Sequence, residues 1–387
     1  MHQLVSRSTA DRSFRRRLAL VGVAALALAL LVGCGGGGPP SAEVQAPASS
    51  ALEPHDTLRD VAAEGVVIGA AAAGGGHYLQ TDTPNPFGDD DVYRGVLAAE
   101  FSSVTPENQM KWELIHPGRD QYDFAAADAV VAFAEEHGQQ VRGHALLWHS
   151  QNPAWLEQGD FTPDELREIL REHIRTVVGR YAGRVQQWDV ANEVLDDTGA
   201  LRDQENIWLR ELGPQVIGDA FRWAHEADPD ALLFLNDYGV ESPGAKSDAY
   251  YDLAQSMLAD GVPVDGFGVQ GHLSMEYGFP SDLQANLQRF ADLGLEIAFT
   301  EVDVRMVLPA DGVPTPAQLE RQADYYRQML QACLAIQECG SFTLWGVVDT
   351  YSWVPSFFPD EGAATVMGPD YVLKPAYQAV RAALSGA

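Results

Sequence analysis

Lysine is nearly absent from this chain. Lys111, Lys246 and Lys374 are the only three in 387 residues, and 25 basic residues face 55 acidic ones, a formal charge of −30. So negative a chain repels polyanions, which excludes nucleic acid and anionic lipid as partners drawn by charge. The same excess fits a salt-rich habitat. Cysteine is equally scarce: Cys34, Cys333 and Cys339. None sits in a zinc-ligand spacing and no H-E-x-x-H occurs. No G-x-G-x-x-G follows the first apolar run, because Gly74-Gly75-Gly76 lacks that spacing, so no dinucleotide turn is present. No metal and no cofactor are expected. The one conceivable metal set is His144, His272 and Glu301, gathered at the mouth of a barrel. No apolar run is long enough to predict a membrane span.

The longest apolar run is Leu18 to Val32, behind a basic front of Arg12, Arg15, Arg16 and Arg17. It ends at Leu31-Val32-Gly33-Cys34. Residues 1–33 read as an export leader. Small residues before a lone cysteine resemble a bacterial lipoprotein cleavage box. That resemblance implies cleavage before Cys34 and acyl chains on its thiol, an anchor without a spanning helix. The alternative is a plain signal peptide with an incidental cysteine. The leader holds five arginines and Asp11, a net +4, so the mature chain carries −34. Residues 34–57, rich in Gly, Pro, Ala and Ser, form a disordered tether. The expected location is the cell envelope, on the outer membrane where the organism has one, because Gly35 is not acidic. In that oxidising setting Cys333 and Cys339 are expected to pair. The alternative is two buried free thiols.

Residues 58–387 remain, and 46% of the chain is hydrophobic. The chain's length allows one barrel-sized domain plus extras, or two ordinary domains, and a monomer is expected. Short apolar runs recur at 66–73, 101–105, 140–148, 185–194, 231–238, 266–273, 296–304 and 341–348. Amphipathic stretches fall between them at 124–137, 162–181, 208–227, 247–260, 280–293 and 315–336, with a last one at 374–384 and a weaker first near 89–99. Thr162-Pro163-Asp164-Glu165 opens a helix. The runs lack polar alternation, as in strands covered on both faces. Eight such units predict an α/β fold, a single (β/α)8 TIM barrel with its cleft at the C-terminal strand ends. An open doubly wound sheet is the alternative.

Seven of the eight strand ends carry polar or aromatic groups that a purely structural end does not need. The fourth ends in Trp188-Asp189-Val190-Ala191-Asn192-Glu193, and the seventh in Thr300-Glu301-Val302-Asp303. A carboxylic acid that protonates a leaving oxygen and a carboxylate that attacks are what glycoside cleavage requires. Glu193 is the candidate acid/base and Glu301 the candidate nucleophile. A retaining pair stands about 5–5.5 Å apart. Burial beside Trp188 and the charge of Glu301 predict a raised pKa for Glu193. Period-two geometry sets Glu301 with Asp303, and Gln270 with His272, so an Asp303–His272–Glu301 chain is expected. Asn192 and Glu193 both reach the site only if the strand end bulges. Trp148, Trp345 and Trp353 supply apolar faces for sugar rings, and Asn108, Lys111, His144, Gln151 and Asn192 supply hydroxyl partners. His149 and Trp155 divide evenly between packing and function. Asn236 and Asp237 support the site rather than react.

Together these residues resemble the family 10 glycoside hydrolases, chiefly endo-β-1,4-xylanases. The motifs are 104–113 (VTPENQMKWE), Arg142-Gly143-His144 with Trp148-His149, Trp188 to Glu193, Asn236-Asp237-Tyr238, Gln270-Gly271-His272-Leu273, Thr300 to Asp303, Trp345-Gly346-Val347 with Asp349 and Trp353, and Lys374-Pro375-Ala376-Tyr377. The resemblance implies a retaining double displacement on xylan and xylo-oligosaccharides. It implies that Glu107, Asn108 and Lys111 bind the sugar one unit beyond the cleaved one. It places His144, Asn192, Gln270, His272 and Trp345 around the cleaved residue, with Trp353 over the non-reducing side. It also supports the Cys333–Cys339 pairing. The segments 74–91 and 355–370 depart from the usual pattern and bear on chain-length preference. The same chemistry on other β-1,4-glycans is one alternative, and a non-catalytic glycan-capture lipoprotein is the alternative from another class.

Overall fold

The computed structural model describes residues 56–63, 65–74 and 84–386. The leader, Cys34, the tether to residue 55 and residues 75–83 of the 74–91 segment lie outside them. Eight strands alternate with eight main helices: β1 (Val67–Ala72), α1 (Asp91–Glu100), β2 (Ser103–Pro106), α2 (Ala125–Glu136), β3 (Gln140–Leu147), α3 (Pro163–Arg180), β4 (Gln187–Asn192), α4 (Gln215–Ala227), β5 (Leu232–Asp237), α5 (Ala245–Ala259), β6 (Gly266–Val269), α6 (Leu283–Ala291), β7 (Glu296–Val307), α7 (Pro316–Leu334), β8 (Cys339–Leu344) and α8 (Pro375–Leu384). Each strand pairs in parallel with the next. β8 returns to β1, from Val67↔Ser341 to Ala70↔Leu344. That closure makes a (β/α)8 barrel and excludes an open sheet.

Local chemistry explains the elements. The strands are buried along almost their whole length, and β1 and the first part of β5 are continuous apolar runs. α3 starts where Thr162 accepts from Glu165 N and Pro163 occupies the first turn. Its buried residues Leu166, Ile169, Leu170, His173, Ile174, Val177 and Val178 recur at three and four, one face turned into the core. α7 repeats the capping device with Thr315 and Gln318. The Cys333–Cys339 disulfide links the last turn of α7 to the first residue of β8.

Three expected elements differ. The helix over 208–227 is broken into Ile207–Leu212 and α4. Gly213 N–H closes the first piece on Leu209 O, and Pro214 has no N–H with which to continue it. The last run begins at Cys339 and stops at Leu344. The run 266–273 is two strands, β6 and the short His272–Ser274, with Gly271 between them at φ 75. A side chain is strained at that angle. The break shifts the chain so that His272 pairs with Asp303 of β7.

Candidate active site

A cleft of about 710 Å³ opens at the C-terminal ends of the strands. It is lined by Glu107, Asn108, Lys111, His144, Trp148, Gln151, Glu193, Gln270, His272, Glu301, Trp345 and Trp353. Asn192 and Asp303 are fully buried behind it.

Strict alternation would send Asn192 and Glu193 to opposite faces. The β4–β5 ladder shifts register between Asp189 and Ala191, and Glu193 turns to φ 53. Both side chains therefore reach Gln270, whose Nε2 lies 3.0 Å from Glu193 Oε1 and 3.4 Å from Asn192 Oδ1. Asn192 Nδ2 also approaches Glu193 Oε1, at 3.3 Å.

Glu301 comes from the middle of β7. Asn236 Nδ2 donates to Glu301 Oε1 at 2.9 Å and to Asn192 Oδ1 at 2.8 Å. Thr300 Oγ1 donates to Asn236 Oδ1 at 2.7 Å, which sets the amide's orientation. Amides thus connect the two acids without a break: Gln270, Asn192 and Asn236. On the other side His272 Nε2 is 3.3 Å from Glu301 Oε2, and His272 Nδ1 is 3.0 Å from Asp303 Oδ2. Trp353 Nε1 donates to the same Asp303 oxygen at 2.8 Å. Burial lowers the imidazole's pKa, but Asp303 and Glu301 outweigh it and push it up to about 10. His272 is a cation held between two carboxylates.

His144 Nδ1 is 2.9 Å from Asp189 Oδ2 and 3.9 Å from Glu301 Oε1. Arg142 pairs with the same aspartate. Burial pushes the Asp189 carboxyl up, yet Arg142 and His144 hold it below the usual range. Gly143, between them, has no room for a side chain: a Cβ there would lie 2.2 Å from Trp188 Cε3.

The electrostatics of Glu193 correct the expectation from sequence. Burial does raise its pKa. His149, 3.8 Å from Oε2, the Gln270 amide, the Trp148 indole N–H nearby and Lys246 together pull it below the ordinary glutamate value. Trp188, expected beside it, packs against Gly143 instead. The pocket around Glu193 is rich in donors rather than apolar.

Across the cleft, Glu107 Oε2 accepts from Gly74 N at 3.1 Å, and Asn108 Nδ2 donates to Gly74 O at 3.1 Å. Lys111 Nζ and Gln151 Nε2 both donate to Asn108 Oδ1 at 3.1 Å. Lys111 Nζ stands 4.9 Å from the Trp148 ring centre. Burial raises Glu107 and lowers Lys111, each opposed by the other's charge. Trp345 meets His144 edge-on at 5.3 Å, and Trp353 lies 5.0 Å from His272. His149 lines the cleft. Trp155 turns away, donating to His116 O at 2.9 Å and packing on Phe161. Sequence reasoning missed Arg202 and Tyr250, which bind the turn at Glu193. Neither carries a local signal.

Paired buried carboxylates at the mouth of a closed barrel, walled by tryptophans, define a barrel glycosidase. The chain belongs to glycosyl hydrolase family 10, whose model matches residues 63–383. It is 42% identical over 293 residues to endo-1,4-beta-xylanase B of Thermotoga neapolitana, covering 76% of this chain and 83% of that one. It is 40% identical over 312 residues to an endo-1,4-beta-xylanase of Agaricus bisporus, covering 80% and 92%. Among solved structures, xylanase 10B from Thermotoga petrophila in complex with xylobiose superposes with a TM-score of 0.79 at 40% identity, over 86% of this chain and 98% of that one.

Proposed function

We propose that the protein is an endo-acting, retaining β-1,4-xylanase. The observation that carries this reading is the pair Glu193 and Glu301, connected through Gln270, Asn192 and Asn236 beneath three tryptophans. The names of the relatives, and the xylobiose in one similar structure, support xylan as substrate. In the first step a Glu301 oxygen attacks the anomeric carbon while the bond to the leaving oxygen breaks. Glu193 gives that oxygen its proton, leaving a glycosyl ester on Glu301. In the second step Glu193 takes a proton from water, the hydroxide oxygen bonds the anomeric carbon, and the ester breaks to restore Glu301. The donor-rich setting of Glu193 suits its ionised form, the base of the second step. Proton donation then requires a bound sugar to displace water and weaken those contacts.

The test is reducing-sugar release from xylan, β-glucan and cellulose by the wild type and Glu301→Ala, with the first product's anomer followed by NMR. Release from xylan by the wild type alone, as the β-anomer, is expected. Initial α-anomer overturns retention. Release by neither, with xylan binding kept, favours a capture protein.

The leader pattern supports a further reading: cleavage before Cys34, lipid on its thiol, and residues 34–57 as a tether holding a monomeric enzyme at the cell envelope. In host cells the wild type would then fractionate with membranes and Cys34→Ser would not. Equal partition of the two refutes it.

A further inference from the structure

Glu193 sits in the left-handed backbone region, at φ 53, which a side-chain-bearing residue seldom occupies. Contacts on both sides of the turn hold it there. Glu193 N donates to Asn236 O at 2.9 Å. The next N–H, of Val194, donates to Tyr250 OH at 3.0 Å, and Tyr250 in turn donates to Asp237 Oδ2. The carbonyl side is held by one residue. Arg202 Nε donates to Glu193 O at 3.1 Å, and its Nη2 reaches Leu195 O and Tyr238 OH, each at 3.1 Å.

Arg202 gets there because residues 193–202 fold back as a hairpin. Leu195 bridges Leu201 antiparallel, and Arg202 N donates to Val194 O at 2.9 Å. Asp197, Thr198 and Ala200, at the tip of the hairpin, are exposed, whereas Val194 and Leu195 at its base are buried in the core. Only a planar fork reaches two carbonyls and a hydroxyl at once; an ammonium reaches fewer.

We propose that Arg202 is a positioning residue for the acid/base step: its guanidinium fixes the turn at Glu193 and so keeps that carboxyl within reach of the leaving oxygen. This rests on the acid/base assignment made above. Proton transfer works only over hydrogen-bond distance, so a small shift of the turn removes it while Glu301 still attacks. Glu301 belongs to β7, and none of its hydrogen bonds involves the hairpin.

The test separates the two carboxylates by leaving group. A 2,4-dinitrophenolate leaves without a proton, whereas a xylosyl leaving group needs one. Arg202→Ala, Arg202→Lys and Glu193→Ala are compared with the wild type on xylohexaose and on 2,4-dinitrophenyl β-xylobioside. For Arg202→Ala, kcat/KM on xylohexaose is expected to fall at least about tenfold, and on the dinitrophenyl substrate less than about threefold. Its kcat on the dinitrophenyl substrate falls too, because water then lacks its base, and azide, which needs none, restores it. Arg202→Lys recovers part of the loss. Glu193→Ala shows the same split more strongly. If Glu193→Ala splits the substrates and Arg202→Ala does not, losing both equally with a lower Tm or losing neither, the positioning role is wrong. If Glu193→Ala itself shows no split, the acid/base assignment is what fails.

Discussion

Asn236 Nδ2 lies 2.9 Å from Glu301 Oε1 and 2.8 Å from Asn192 Oδ1, so a single amide nitrogen serves both the candidate nucleophile and the residue beside the candidate acid. Asn236→Asp replaces that donor with a carboxylate facing two acceptors. The expected loss in kcat on xylan is about 10²-fold or more, the weight of one preorganised donor in a buried site. Thr300→Val, which only releases the amide's orientation, costs less. Steady-state kinetics with an unchanged circular dichroism spectrum make the check. Equal activity of Asn236→Asp and wild type counts against the bridge.

His272 makes stability depend on pH. An unfolded imidazole titrates near 6.5, and the folded one near 10. A raised folded value stabilises fully below 6.5, and that contribution is lost as pH rises through 10. The stability gap between wild type and His272→Gln should therefore be widest near pH 6 and close towards pH 10. Denaturant melts at several pH values read it. A gap independent of pH would falsify the charged assignment.

Cys333 and Cys339 are six residues apart, so their disulfide closes a short loop. Loop-closure entropy for so short a ring is worth about 2 kcal/mol. Reduction, or Cys333→Ser with Cys339→Ser, should lower Tm by several degrees and leave KM unchanged, because the link lies at the start of β8, away from the cleft. Differential scanning calorimetry with and without reductant measures it.

Trp353 has two separable parts, a ring lining the cleft and an N–H on Asp303. Trp353→Ala removes both and should raise KM for xylo-oligosaccharides about tenfold, or about 1.4 kcal/mol. Trp353→Phe keeps a ring and drops the donor. It should spare KM more and lower kcat, through a looser Asp303–His272 link. If both variants change KM alone, the N–H has no part in holding His272.

Strand ends were legible because each motif is contiguous. Trp188 to Glu193 and Thr300 to Asp303 carry their own periodicity, although Glu301 lies midway along β7, which runs on to Val307, rather than at its end. The bulge that turns Asn192 and Glu193 together was demanded by alternation alone. The break of 208–227 at Gly213-Pro214 was written in those two residues and overridden by the apolar pattern on either side. The pKa of Glu193 was read wrongly for another reason. A raised value follows from burial, which sequence reports. The opposing groups arrive from Trp148 and His149, Lys246 and Gln270, on three other parts of the chain.

The sequence by itself determined the barrel, the two glutamates at its mouth and the tryptophans around them, because hydrophobic period, helix caps and contiguous motifs are local properties. The tertiary structure alone decided which groups touch those glutamates: Asn236 beneath Glu301, Arg202 on the turn of Glu193, and a charged His272 between Asp303 and Glu301. Hydrogen bonds and charges act over a few ångströms of space, and no spacing along a chain encodes distances between strands that meet only when the barrel closes.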